Sequence, residues 1–120
     1  MKLPESEEKL MQLLWQIGPA YLKELLAAYP EPRPAKTTVA TLLSRLHKRG
    51  AVDYRTHGNS RHYFAVLSKA TYFGGQLRRW IDQFFGASPT DFASFFTDEA
   101  ELTQEQLTEL RDLIDRKIEK

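Results

Sequence analysis

Apolar side chains in the first third of the chain recur at helical spacing. Leu10, Leu13, Leu14 and Ile17 fall at i, i+3, i+4 and i+7, which predicts a helix over about Ser6–Ile17. Gly18-Pro19 stops it, because proline disfavours helical geometry in the residue before it. A second helix is expected over about Tyr21–Tyr29, with Leu22, Leu25 and Leu26 turned inward. Pro30-Glu31-Pro32-Arg33-Pro34 then makes an extended connection that cannot be helical. The third helix opens near residues 35–37 and ends at Gly50, with Lys48 and Arg49 at the negative end of its dipole. Val39, Leu42, Leu43 and Leu46 share its inner face, and His47 is expected to pack beside them. Ala51–Thr56 reads as a strand with Val52 and Tyr54 on one side, His57-Gly58-Asn59-Ser60 as a turn, and Arg61–Val66 as the returning strand. Three helices followed by a hairpin are the element order of a winged helix-turn-helix.

Past the hairpin the pattern becomes helical again. Ser68 is placed to cap a helix running to about Phe85, with Phe73, Leu77, Trp80, Ile81 and Phe84 as a broad apolar stripe. Gly74-Gly75 costs it about 1–2 kcal/mol relative to alanines and predicts loose first turns. Gly86 ends it, and Ser88-Pro89 opens a short helix to about Phe96. Thr103 with Gln106 forms a capping box for a last helix, whose apolar residues are Leu107, Leu110, Leu113, Ile114 and Ile118. The expected fold is mainly α with a small β-hairpin: a winged helix-turn-helix over residues 1–67 and a three-helix dimerisation domain over residues 68–120.

Composition narrows the function classes. A chain that is 42% hydrophobic and 12% aromatic fills a core, which argues against disorder. The sequence has neither an 18-residue apolar run nor a signal peptide before its first charged segment, so a cytoplasmic protein is expected. Without cysteine there is no disulfide framework, thiolate site or cysteine nucleophile. His47, His57 and His62 lack metal-ligand spacing, so neither metal nor cofactor is expected. A glycine-rich phosphate loop, a carboxylate constellation and a nucleophile–histidine arrangement are all missing from the sequence, and no enzyme is expected.

Charge is informative only once mapped. The net +1 hides +4 in residues 1–66 and −3 in residues 67–120. Within residues 33–61, Arg33, Lys36, Arg45, Lys48, Arg49, Arg55 and Arg61 face one acid, Asp53. Such a cluster suits a polyanion, because each phosphate neutralised releases condensed counterions.

Projected at 100° per residue, the third helix puts Thr37, Thr41, Ser44 and Lys48 opposite its buried face, with Ala40 and Arg45 on the flanks. Small side chains allow close approach to a major groove, hydroxyls bond base edges or phosphates, and methyls meet thymine methyls. Thr37, Thr38 and Thr41 are poor choices for a merely solvated helix face, where Glu, Lys or Ala would form a better helix. The exposed first amides of the helix add an anion site for phosphate, and Lys36 is a further candidate DNA contact. The hairpin tip, with Arg55, His57, Asn59, Ser60 and Arg61, has the composition of a wing that contacts phosphates or the minor groove. The same residues also suit an ordinary amphipathic helix and exposed hairpin. The competing function is a winged-helix protein-interaction module without sequence-specific DNA binding.

The tail holds Phe73, Trp80, Phe84, Phe85, Phe92, Phe95 and Phe96, more large rings than three short helices readily enclose. The expected solution is a homodimer interface built from Phe73, Leu77, Trp80, Ile81, Phe84, Phe92, Phe95, Phe96, Leu107, Leu110 and Ile114. Packing of the tail on its own winged helix, or a cofactor pocket among the rings, are the alternatives.

The run Thr37-Thr38-Val39-Ala40-Thr41-Leu42-Leu43-Ser44-Arg45-Leu46-His47-Lys48-Arg49-Gly50 resembles the recognition-helix signature of the penicillinase-repressor family, T-T-V-x-T-L-L-x-R-L-x-x-K-G. Leu10-Met11, Leu14-Trp15 and Gly18-Pro19-Ala20 fit as well, as does the tail from Leu102 to Ile114. The resemblance implies a homodimeric transcriptional repressor whose winged helix binds double-stranded DNA at a palindromic operator and whose C-terminal helices dimerise. It also implies, from the best-known members, a membrane sensor protease that relieves repression by cutting the C-terminal domain. This sequence departs from the family pattern in three places. Ala40 stands where Arg or Gln is frequent, Phe95-Phe96 stands at the Asn-Phe cleavage position, and the C-terminal cysteines of the copper-responsive branch have no counterpart.

Overall fold

The computed structural model describes residues 1–119, which form two compact units, residues 1–76 and residues 77–119. The first contains α1 (Glu5–Ile17), β1 (Ala20–Tyr21), α2 (Leu22–Ala28), α3 (Lys36–Lys48), β2 (Val52–His57), β3 (Ser60–Ala65) and the opening turns of α4 (Lys69–Phe84). The fold is mainly α with a small antiparallel sheet, a winged helix with further helices after it.

The core of the first unit joins Leu10, Met11 and Leu14 of α1, Leu25 of α2 and Val39, Leu42, Leu43 and Leu46 of α3 with Val52 and Tyr63 of the sheet. Burying each of the large aliphatic side chains contributes about 1.5–3 kcal/mol before entropic costs. The inner face of α3 is the expected one. That of α1 lies one turn earlier than the leucine spacing suggests: Glu7, Leu10, Met11 and Leu14 are buried and Ile17 is exposed. A charged residue takes the fourth position because Arg49 compensates it. Arg49 Nε donates to Glu7 Oε1 at 2.8 Å.

The second helix starts after Tyr21 rather than at it, because Ala20–Tyr21 is a short strand. It pairs antiparallel with β3, Ala20 opposite Tyr63 and Tyr21 opposite His62, giving the sheet order β1-β3-β2. Two residues are too few to show alternation, so nothing in the periodicity announces β1. Glu24 Oε1 accepts from the Tyr21 amide at 2.8 Å and fixes the strand-to-helix step. Gly50 follows the α3 C-cap at φ +80, as expected of a C′ glycine. The β2–β3 turn is tighter than four residues: His57 pairs with Ser60 around Gly58-Asn59. Gly58 has φ +62, at the position where a type II′ hairpin reserves a positive φ for glycine.

α4 runs unbroken through Gly74-Gly75, contrary to the loose start expected from those two residues. Ser68 Oγ accepts from the Thr71 amide at 3.1 Å. Tyr72 is buried, and its ring lies 5.9 Å from that of Trp15. Its hydroxyl accepts from the Leu3 amide and donates to Glu8 Oε2 at 2.6 Å. These tertiary contacts outweigh the glycine penalty.

The second unit consists of the remainder of α4, α5 (Pro89–Glu99) and α6 (Gln104–Ile118). Ser88 caps α5 through the Asp91 amide at 3.1 Å. α5 continues to Glu99, past the end expected near Phe96. The Thr103–Gln106 capping box opens α6, with both reciprocal bonds present at 2.9 and 3.1 Å. No described side chain of residues 77–119 is buried.

Candidate nucleic-acid interface

α3 and the hairpin formed by β2 and β3 carry the candidate residues. Lys36, Thr37, Thr38, Ala40, Thr41, Ser44, Arg45 and Lys48 are all exposed on α3, while its four aliphatic residues fix the opposite side in the core. One run of sequence therefore presents a short-chained, hydroxylated surface that turns cationic toward the C-terminus. Ala35 at the N-cap has no side-chain oxygen, so the first amides of α3 receive no side-chain cap.

Thr41 has a narrower chemistry than its hydroxyl alone suggests. Its Oγ1 donates to the Thr37 carbonyl at 3.0 Å, which commits the hydroxyl hydrogen. What Thr41 still offers outward is acceptor capacity and a methyl group. In a major groove those complement an exocyclic amine of adenine or cytosine, or a thymine methyl.

In the hairpin, Arg55, His57, Asn59, Ser60 and Arg61 are exposed. Arg55 stands opposite His62, and Thr56 stands opposite Arg61. Because side chains alternate along a strand, Arg55 and Arg61 project from opposite faces of the hairpin. The Arg61 guanidinium lies 4.4 Å from the centre of the Tyr54 ring, and that of Arg55 lies 5.8 Å from Phe64. Both cations are supported on aromatic faces. On the Arg55 face, His57 and His62 pack edge to face at 5.6 Å, and Tyr21 of β1 lies 4.5 Å from His62.

The structure divides the cations of residues 33–61 into two groups. Arg49 is engaged by Glu7, and Arg33 donates to the Tyr29 and Ala27 carbonyls and pairs with Glu31 at 3.6 Å. Lys36, Arg45, Lys48, Arg55 and Arg61 make no ion pair among the described residues. His47 does not pack beside the core as expected. It is exposed, with Nε2 3.3 Å from Asp53 Oδ1 and its ring 5.2 Å from Tyr54, because the end of α3 meets the start of β2 there. The one acid of the basic segment stands beside that histidine, and none of the five cations pairs with it.

A surface cleft of about 360 Å³ brings some of these residues together. Lys36 of α3 and Asn59, Ser60 and Arg61 of the hairpin line it, along with Tyr21, Leu22, Lys23 and Tyr63. Sequence reasoning missed Lys23 and Tyr21. Lys23 lies outside the basic segment, and only the pairing of β1 with β3 brings its neighbourhood to the hairpin.

The residues expected at a dimer interface fall in both units. Phe73 lies in the first, its ring 5.8 Å from Trp15. In the second, Leu77, Trp80, Phe84, Phe95, Phe96 and Ile114 are exposed, and Ile81, Phe92, Leu107 and Leu110 are half-buried. Trp80 is within 5.2–6.3 Å of Phe84, Phe85, Phe92 and Phe95. Among the described residues no group of three or more His, Cys, Asp or Glu is placed to hold a metal ion, and no helix is long and apolar enough to cross a membrane.

Comparison with known proteins agrees with this layout. The family model described as penicillinase repressor matches residues 3–116. The methicillin resistance regulatory protein MecI of Mammaliicoccus sciuri is 19% identical over 117 residues, covering 97% of this chain and 95% of that protein. The MecI protein of Staphylococcus aureus strain N315 is 18% identical with the same coverage. The penicillinase repressor of Bacillus licheniformis is 18% identical over 115 residues, covering 95% of this chain and 90% of its own length. With a winged helix, a cationic hydroxylated third helix and a family match across nearly its whole length, the chain belongs to the penicillinase repressor family, a family of DNA-binding transcriptional repressors.

Proposed function

We propose that this protein is a homodimeric, sequence-specific repressor that binds a palindromic operator. α3 enters the major groove, where Thr37, Thr41 and Ser44 meet base edges. Thr38, Ala40 and Arg45 flank them, and Lys36 and Lys48 meet phosphates. Arg55, His57, Asn59, Ser60 and Arg61 of the hairpin bind the adjoining backbone. Residues 1–67 form the DNA-binding domain and residues 68–120 the dimerisation domain, with α4 as the link.

The observation that carries this reading is the exposed face of α3: small hydroxyl side chains and unpaired cations, backed by four buried aliphatic residues. Pairing of two chains is supported by a second unit in which no described side chain is buried, although Phe84, Ile114 and Ile118 are 61%, 55% and 74% exposed. A partner surface relieves that exposure. It also turns two weak half-site contacts into one tight event, because the second becomes effectively intramolecular. Loosening the pairing lowers operator occupancy without any change at the DNA face.

Relief of repression by a membrane sensor protease fits this chain poorly. Phe95-Phe96 stands at the family's cleavage position and lies inside α5, where a protease would first have to unwind the helix.

Selection of bound sequences from random duplex DNA, with sedimentation of the protein–DNA complex, tests the reading. Recovery of a two-fold-symmetric sequence bound by two chains is expected. Recovery of no preferred sequence would favour the protein-interaction module instead.

A further inference from the structure

We infer that the cleft between α2 and the hairpin is a phosphodiester clamp in which Lys23, outside the basic segment of the sequence, is a principal contact. The inference rests on the reading of α3 and the hairpin as the DNA face, and it adds a site on a third element. Lys23 of α2, Lys36 of α3 and Arg61 of β3 all line a cleft of about 360 Å³, with Asn59 and Ser60 beside them. Among the described residues no carboxylate lines the cleft, and none is ion-paired with Lys23, Lys36 or Arg61. Three cations around one cleft, with no carboxylate in its lining, favour an anion there.

The chemistry selects a phosphate ester. The donors suit the charged oxygens of a backbone phosphate. Lys36 is the first residue of α3 and also lines the cleft, so the cleft is continuous with the face proposed to read bases. A strand read by α3 thus has a phosphate site at the beginning of that helix, supplied by α2 and the hairpin together. Contact from both elements fixes the angle at which α3 enters the groove, so the clamp positions the reading helix without reading sequence itself.

The test uses full-length protein and a duplex selected by the unaltered protein from a random pool. Single phosphates in that duplex are replaced in turn by neutral methylphosphonates. The unaltered protein is expected to lose affinity at one particular phosphate in each half-site. Lys23→Gln is expected to bind about 3- to 10-fold more weakly, to lose its sensitivity to that one replacement, and to lower the log–log salt slope by about 1 per chain. Lys23→Arg restores both behaviours. Lys9→Gln, an equal charge change at an exposed position of α1, leaves them unaltered. Two outcomes overturn the clamp while leaving the DNA-binding function intact: an unchanged methylphosphonate profile for Lys23→Gln, or an equal loss in Lys9→Gln. Binding of inorganic phosphate at millimolar concentration by unaltered protein but not by Lys23→Gln, with DNA binding indifferent to the substitution, would reassign the cleft to a free anion and also overturn it. If the unaltered protein selects no DNA, the function and the clamp fall together.

Discussion

Arg49, at the C-terminal end of α3, donates from Nε to Oε1 of Glu7 in α1 at 2.8 Å, across 42 residues of sequence. Glu7 is 2% exposed, whereas the Arg49 side chain is 41% exposed. The pair ties the proposed reading helix to the first helix through a charge that has left water. Removing the arginine strands that carboxylate in the core, and the loss exceeds whatever the intact pair contributes.

Arg49→Met is therefore expected to destabilise the protein by about 2 kcal/mol, the modest size reflecting a partner half in water. Glu7→Gln is expected to cost less, because the amide oxygen still accepts from Arg49. Combining the two substitutions should recover part of the loss. Urea unfolding of the four proteins checks this, and equal losses for both single variants would contradict it.

Tyr72, Glu8, Leu3 and Lys2 make a second tie, holding the first turns of α4 to α1. The hydrogen bond from Tyr72, with help from Lys2, holds the Glu8 carboxyl below its ordinary pKa of 4.5. A carboxyl lowered on folding stabilises the fold above its unfolded pKa, and the contribution disappears as pH falls through the folded value. Burial and the neighbouring Glu8 carboxylate raise the Tyr72 hydroxyl above 10.0, so its contribution is present below that pH and is lost as pH rises further. Tyr72→Phe is expected to cost about 1.5–3 kcal/mol at pH 7, the worth of a hydrogen bond to a charged group, and less at pH 3. Urea midpoints at the two pH values measure the difference, and a loss independent of pH would contradict the assignment.

Most of this architecture is legible in the sequence, and the exceptions share a physical cause. Val39, Leu42, Leu43 and Leu46 announce α3 because a helix buried on one side repeats at i, i+3, i+4 and i+7. Ser88 and Thr103 announce α5 and α6 because capping is local chemistry within one turn. Burial of Glu7, strand β1 and the approach of Lys23 to the hairpin all depend on partners far away in sequence. Glu7 lacks its reason until Arg49 is folded beside it, and β1 exists only because β3 offers an edge. The cationic character of the candidate site is readable from residues 33–61, but the division of those cations is not. Only the folded chain separates Arg33 and Arg49 from the five that remain unpaired.

Thr41 tests the reading face directly. Thr41→Glu places a carboxylate where the account puts base edges, and repulsion from the phosphates is expected to abolish DNA binding while leaving the unfolding free energy within about 0.5 kcal/mol, as for other exposed positions. Lys36→Ala with Arg61→Ala is expected to weaken binding across all sequences, because both meet phosphates. Retention of DNA binding by Thr41→Glu would refute the orientation of α3.

Phe84 tests the tail. Its side chain is 61% exposed in the isolated chain, so Phe84→Asp removes little from the fold of one protomer. At a subunit interface the same change places a carboxylate against apolar surface. The variant is expected to sediment as a monomer at concentrations where the unaltered protein is dimeric, and to bind a two-fold-symmetric duplex at least tenfold more weakly. An unaltered sedimentation coefficient would remove Phe84 from the interface.

The most direct measurement is the affinity of the full-length protein for a selected duplex as a function of salt concentration. Lys36, Arg45, Lys48, Arg55 and Arg61 on each winged helix, with Lys23 of the proposed clamp, predict a log–log slope of about −5 per half-site, together with a preference of at least 10³-fold over unrelated DNA. A slope near zero, or equal affinity for every duplex, would contradict the account.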